Sequence, residues 1–293
     1  MNLPRLSLAP TFIREIAGKR TLPREPEPDS IMLDAEQVAS FTETGRGDST
    51  LAASYLFHTA RASQVIQGCR KVIDLGCGPA TQLVQIARLN PEIEFVGIDM
   101  SETMREQADA HIKDVGVTNV SIVEGDITDL QRFRDGSVDG VMSTVSLHHL
   151  PTNGHLEACF REISPIISGG GALYLADFGR LKSLNSVIFF AYMNRDRDPH
   201  QLLLDYERSL RAAFLLSDFE SLAQELLPDT VSVLSTFKVP LLIVLKTADR
   251  QLPDSKVAQL NELRRQIDPR FRRDLDDMRV FFKLGGLGND VFR

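Results

Sequence analysis

The 293-residue chain predicts an α/β fold: a mostly parallel sheet of seven strands with helices on both faces, an antiparallel strand near one edge, and added helical segments at the N-terminus and over the sheet. Two observations carry that expectation. From residue 71 onward, short β-branched runs alternate with stretches of amphipathic helical spacing. Such alternation implies right-handed crossovers between parallel strands. Beyond residue 229, "TVSVLSTF" and "PLLIVLKT" follow one another too closely for a crossover helix, so they should pair antiparallel at the far edge of the sheet.

Taken in order, strands are expected at 71–75, 94–98, 120–124, 138–143 and 172–177, with helices near 80–90, 101–115 and 155–166. Residues 1–60 read as a helical cap broken by "TLPREPEPD" at 21–29, whose three prolines and charges suit a linker or exposed loop. After it, "SIMLDAEQVASF" and "STLAASYLFHTARASQVI" carry helical spacing, and Asp48 or Ser49 can cap the second. The main domain then spans 61–247. Within it, 180–228 is longer than one crossover helix needs and reads as a helical lid. Residues 248–293 form a C-terminal extension with Leu260, Leu263, Ile267 and Phe271 at helical spacing, a candidate surface for a homodimer.

Composition narrows the partners. Lys and Arg total 33 against 40 Asp and Glu, a net charge of −7, so the field of the whole chain repels polyphosphate and argues against nucleic acid. No apolar run approaches the roughly 20 residues of a membrane helix, and no signal segment opens the chain. Cys69, Cys77 and Cys159 lack metal-binding spacing and suit a reducing compartment. The expectation is a cytoplasmic protein without a membrane partner.

The chemistry concentrates at "VIDLGCGPAT". Gly76 and Gly78 permit a sharp turn and a close approach of backbone to ligand, ahead of a helix whose free N–H groups face the same place. A dinucleotide site would continue to a third glycine, where this chain has Thr81, and Asp74 would repel a pyrophosphate. The acid favours a cationic or zwitterionic ligand instead. Asp99 ends the second strand at the spacing that suits ribose hydroxyls, and it also suits an N-cap for the helix that follows. Asp126, after the third strand, can accept from an adenine amine beside the Ile127 N–H. Acids at three successive strand ends around a glycine turn describe a site for adenosine joined to an amino acid, which is S-adenosylmethionine.

Residues 71–178 resemble the class I S-adenosylmethionine-dependent methyltransferases, in particular the small-molecule group that includes the ubiquinone and menaquinone biosynthesis enzymes. The resemblance rests on "VIDLGCG", "GIDMS", "VEGDI", "SLHHL" and "GGGALYLADF" in order and spacing. It implies a Rossmann-like fold and S-adenosylmethionine as cofactor. It further implies that Asp74, Gly76, Cys77 and Gly78 surround the amino-acid end of the donor, Asp99 holds the ribose, and Met100 packs on the adenine. Asp126 and Ile127 would read the adenine's polar edge, and Ser143 to Ser146 would close the pocket by the methyl group. One departure is Ser168-Gly169-Gly170-Gly171 where the family usually has Lys-Pro-Gly-Gly.

His148 and His149 leave the fourth strand beside the expected methyl group and are candidate general bases. With His155 and Asp177 they invite a metal, but adjacent strand residues point to opposite faces, so no ion is expected. Tyr55, His58, Phe189 and Tyr192 are candidates for the acceptor pocket or for core. The reaction expected is methyl transfer by in-line displacement to a small molecule or a short peptide. Two other classes stay open: a catalytically silent module that binds the donor, and a nicotinamide-dependent oxidoreductase.

Overall fold

The computed structural model describes residues 5–19, 21–28 and 50–292. The helical reading of 30–41 and the caps at Asp48 and Ser49 lie outside the described residues. The strands are β1 (Lys71–Leu75), β2 (Glu94–Asp99), β3 (Val120–Glu124), β4 (Val138–Thr144), β5 (Ile167–Phe178), β6 (Ser232–Ser235) and β7 (Leu242–Lys246). They form one seven-stranded sheet in the order β3-β2-β1-β4-β5-β7-β6. β1 to β5 run parallel, and β7 lies antiparallel to both of its neighbours. The order reverses between β1 and β4, which opens a crevice at the carboxyl ends of the strands where such sheets bind ligands.

Residues alternate across the sheet with the period of two that strands impose. Val72, Phe95, Met142, Tyr174 and Val244 face one core, while Ile73, Val96, Val141, Leu173 and Leu245 face the other. The first core is covered by α2 (Thr50–Ile66), α3 (Thr81–Leu89) and the C-terminal pair α9 (Asp254–Gln266) and α10 (Pro269–Leu284). Phe57 stacks on Phe282, with centroids 5.1 Å apart, and Arg61 donates to the carbonyls of Gly288 and Asn289. The C-terminal residues therefore share the core of the sheet. α4 (Glu102–Val115) also packs on the first core, beside the β2–β3 edge, and the second core is covered by α5 (Asn153–Ile166) and α8 (Leu216–Leu226).

The segment expected as a helical lid divides in three. α6 (Leu184–Tyr192) and α7 (His200–Ala212) pack together against the N-terminal helix α1 (Ala9–Ala17), whereas α8 is the crossover helix on the sheet. β5 begins five residues before the expected start, at Ile167 rather than 172. Gly170, at φ +75°, lets the chain bend through the glycine run while the ladder with β4 shifts register.

Residues 21–28 are not a free linker. Leu22 N–H donates to Leu181 O at 3.3 Å and Glu25 N–H to Arg211 O at 3.0 Å. Arg24 drives its guanidinium into the carbonyls of His148, Leu150, Pro151 and Ala212, lying 3.9 Å over the Phe214 ring. The prolines hold this strap extended, and the charged side chains between them tie it down. Burial and the nearby Arg180 lower the Arg24 guanidinium to about 10.

Candidate functional site

The crevice begins at the turn from β1 into α3. Gly76 and Gly78 take φ +67° and +52°, the left-handed region that glycine enters without penalty. Gly76 N–H donates to Ile98 O at 2.8 Å, which seats the turn on the end of β2. A Cβ at Gly76 would stand 1.8 Å from Ser146 Oγ, so the turn lies directly beneath the loop leaving β4. Asp99 binds both sides of the crevice: Oδ2 accepts from Gly78 N–H at 2.8 Å and Oδ1 from Ser101 N–H at 2.9 Å. It thus braces the glycine turn, while the N-cap of α4 is Ser101.

Asp74 lies buried behind the glycines, and its Oδ1 has no hydrogen-bond partner. Burial, with Asp99 nearby, pushes its carboxyl well above the usual carboxylate range. An orphaned buried acid of this kind fits a ligand that brings a donor or a positive charge, as the ammonium of an amino acid does. Cys77 is buried under the turn against Gly97, and burial with the neighbouring acids raises its thiol, the opposite of what activates a nucleophile.

The remaining expected contacts are placed unevenly. Met100 stands exposed beside Asp99, open to the crevice mouth. Asp126 is also exposed, and one of its oxygens accepts from the N–H and hydroxyl of Thr128 in a local turn. Ile127 is half-buried against the second core. Ser143 is fully buried and donates its hydroxyl to Leu75 O at 2.8 Å, fastening β4 to β1. Tyr55 sits half-buried on α2. His58 is buried between α2 and the sheet with Nδ1 2.8 Å from the Tyr174 hydroxyl, which makes it core. Phe189 packs in the α6–α7 cluster, and the Tyr192 hydroxyl donates to Glu207 at 2.9 Å in the same cluster.

His148 and His149 lie on a short 3-10 turn, Leu147–His149, and not on a strand. The ground for keeping them apart therefore fails: their ring centroids are 4.1 Å apart. Asp177, at the end of β5, accepts from His148 N–H at 2.9 Å and meets His148 Nδ1 at 2.7 Å. That fixes the ring and leaves Nε2 as its free nitrogen, buried and without a partner. His149 Nδ1 meets Glu27 Oε2 of the strap at 2.6 Å, and Glu27 Oε1 accepts from Ser209 on α7 at 2.9 Å. Burial alone would raise the Glu27 carboxyl, but its bond to His149, with the charge of both imidazoles, brings it down to about 2. Phe178 and Tyr206 wall the cluster, with the Phe178 ring 5.3 Å from both His148 and Tyr206.

Glu27, Arg24, Tyr206 and Ser209 carry no motif that sequence reading could have used. Asp177 had one, as an acid at a strand's carboxyl end.

Residues 67–191 match the family model described as a methyltransferase domain. A malonyl-[acyl-carrier protein] O-methyltransferase of Legionella pneumophila is 30% identical over 139 residues, 45% of this chain and 47% of that protein. A demethylmenaquinone methyltransferase of Geobacillus kaustophilus is 27% identical over 123 residues, covering 37% and 52%. The chain thus spans about half the length of these curated relatives, or less. Among solved structures, the plantazolicin methyltransferase BpumL, in complex with a triazolic desmethylPZN analog and SAH, aligns over 84% of this chain and 99% of its own. Its TM-score is 0.54 at 14% identity, a likeness of fold. Residues 67–191 thus match a methyltransferase domain, and the sheet order of the chain is that of the methyltransferase fold its structural neighbours share.

Proposed function

We propose that the protein transfers the methyl group of S-adenosylmethionine to a small-molecule acceptor. One observation carries the donor half of this reading: the buried Asp74, with an unmatched oxygen behind the glycine turn, suits the zwitterionic amino-acid end of the donor and repels a pyrophosphate. Asp99 remains the candidate for the ribose, Met100 for the adenine face, and Asp126 with Ile127 for the adenine edge. Gly76, Cys77, Gly78 and Ser146 form the wall beside the sulfonium; Ser143 supports that wall from beneath.

Transfer is an in-line displacement, in which a lone pair of the acceptor attacks the methyl carbon as the bond to sulfur breaks. Alignment of the two partners can supply about 7 to 11 kcal/mol of the barrier. A hydroxyl or acidic-carbon acceptor must also lose a proton, and His148 and His149 are the groups to activate it. His148 Nε2 is the basic nitrogen that Asp177 leaves free. A small acceptor suits the enclosure of this cluster by the strap and by α7, and the net charge of −7 disfavours nucleic acid. The three cysteines are free and buried, which fits the expected reducing compartment. Among the described residues no helix is long and apolar enough to cross a membrane.

The test is calorimetry with S-adenosylmethionine, S-adenosylhomocysteine and NAD in parallel, followed by transfer of a labelled methyl group to a panel of hydroxyl, amine and carboxylate acceptors. Micromolar binding of the first two without NAD supports the donor assignment. Binding of NAD alone overturns it, and donor binding with no transfer to any acceptor favours the silent module.

A further inference from the structure

Glu27, His148 and His149 each offer a ligand atom, and the three atoms lie within 4.8 Å of one another. They come from two distant places in the chain: the proline-rich strap and the 3-10 turn after β4. We infer that these three side chains bind a divalent transition-metal cation of the zinc type. The inference refines the proposed reaction, on which it rests for what the cation would meet: the two imidazoles activate the acceptor as ligands rather than as bases.

Two features beyond proximity point to a ligand. The first is His148 Nε2. Its ring is 2% exposed, its Nδ1 is committed to Asp177, and Nε2 has no partner. A buried ring nitrogen without a partner is costly, and with the Nδ1 proton given to Asp177 the Nε2 lone pair is one that a cation satisfies. The second is the outer layer. Imidazoles that bind metals pass their other nitrogen to a carboxylate, and ligating carboxylates are themselves hydrogen-bonded. Asp177 does the first for His148 at 2.7 Å, and Ser209 does the second for Glu27 at 2.9 Å.

The donor set selects the ion. Calcium and magnesium take oxygen ligands, whereas two imidazoles and one carboxylate suit zinc, iron or cobalt in the divalent state. Ligand bonds of 2.0–2.2 Å in a tetrahedral site put the donor atoms roughly 3.3 Å apart. The Glu27–His149 contact, at 2.6 Å, would open by less than an ångström, and the rest of the cluster would draw together. Three protein ligands leave a position for water or for an acceptor oxygen, as sites that act on substrates do. Arg24 is the opposing charge. Its guanidinium is turned onto the carbonyls of His148, Leu150, Pro151 and Ala212, so it grips the turn instead of occupying the cluster.

The experiment uses the full chain without an affinity tag, stripped with a chelator and titrated with zinc chloride against a chromophoric competitor. S-adenosylhomocysteine binding is measured on the same samples. One equivalent of zinc in the wild type is expected, lost in Glu27→Gln and His149→Gln, and weakened about 10- to 100-fold in Asp177→Asn. Variants that still bind S-adenosylhomocysteine are folded, and X-ray absorption of the zinc-loaded wild type, showing two imidazoles and oxygen donors, gives a reading that needs no variant. Absence of stoichiometric zinc, or zinc held equally well by Glu27→Gln and His149→Gln, overturns the site. Zinc binding without S-adenosylhomocysteine binding would instead leave this site standing and overturn the donor reading.

Discussion

Replacing Gly76 by alanine probes the glycine turn at its tightest point. At φ +67° the backbone lies where a Cβ costs roughly 1–2 kcal/mol. The new methyl would also stand 1.8 Å from Ser146 Oγ and 2.9 Å from Ser146 Cβ. The hydroxyl can rotate away, but the Cβ cannot, so the turn and the end of β4 must part. Ser146→Gly removes both atoms and leaves only the backbone penalty. Gly76→Ala in the Ser146→Gly background should therefore cost about 1–2 kcal/mol of stability relative to Ser146→Gly alone. In the wild-type background the same change should cost more, and S-adenosylhomocysteine affinity should fall with it because the Gly78 N–H is moved off Asp99. Urea unfolding and calorimetry on the four proteins measure both terms. Equal losses in the two backgrounds, or an alanine variant as stable and as tight as wild type, would refute the geometry of the turn.

Three further outcomes are predicted. Asp99→Ala should weaken S-adenosylhomocysteine by about 1–3 kcal/mol, since the carboxylate braces the turn and is the residue proposed for the ribose; unchanged affinity in calorimetry sinks that role. Burial, with Asp99 nearby, raises the Asp74 carboxyl in the free protein, and an incoming ammonium favours its ionised form. Donor binding should then release protons and tighten as pH rises, which calorimetry in buffers of different ionisation enthalpy reads directly; proton-neutral binding contradicts it. His58 is buried, and that burial lowers its pKa from 6.5 to about 4. The unfolded chain therefore takes up a proton first as pH falls, so stability present above pH 6.5 is lost on the way down to pH 4. The loss is roughly 3 kcal/mol at 1.36 kcal/mol per unit. The difference in unfolding free energy between wild type and His58→Gln should shrink over that interval, and a difference independent of pH refutes the neutral core histidine.

The strands were legible because β-branched runs with helical stretches between them leave few alternatives, and the glycine turn was legible because local backbone chemistry demands glycine there. β5 was read too short because Ser168 to Gly171 look like a turn, yet Gly170 bends within a continuing ladder. The acceptor side was less readable. Proline spacing in 21–28 says that the segment is extended, but not that Glu27 reaches His149, 122 positions away in the chain. The opposite-face argument for His148 and His149 assumed strand geometry, which a 3-10 turn replaces. His58 shows the same limit at a single residue: it had two readings in sequence, and only packing against the Tyr174 hydroxyl places it in the core.

The strap across the turn after β4 brings to the candidate site residues that lie outside the stretch matched by the family model. Asp74, the glycines, Asp99, His148 and Asp177 all fall within residues 67–191, the stretch that matches the family. Glu27, Arg24, Tyr206 and Ser209 fall outside it, on the strap and on α7. The candidate donor side therefore lies inside the stretch matched by the family model, while part of the candidate acceptor side lies outside it. Substitutions in the strap and α7 therefore reach the Glu27–His149 contact without touching the glycine turn or Asp99.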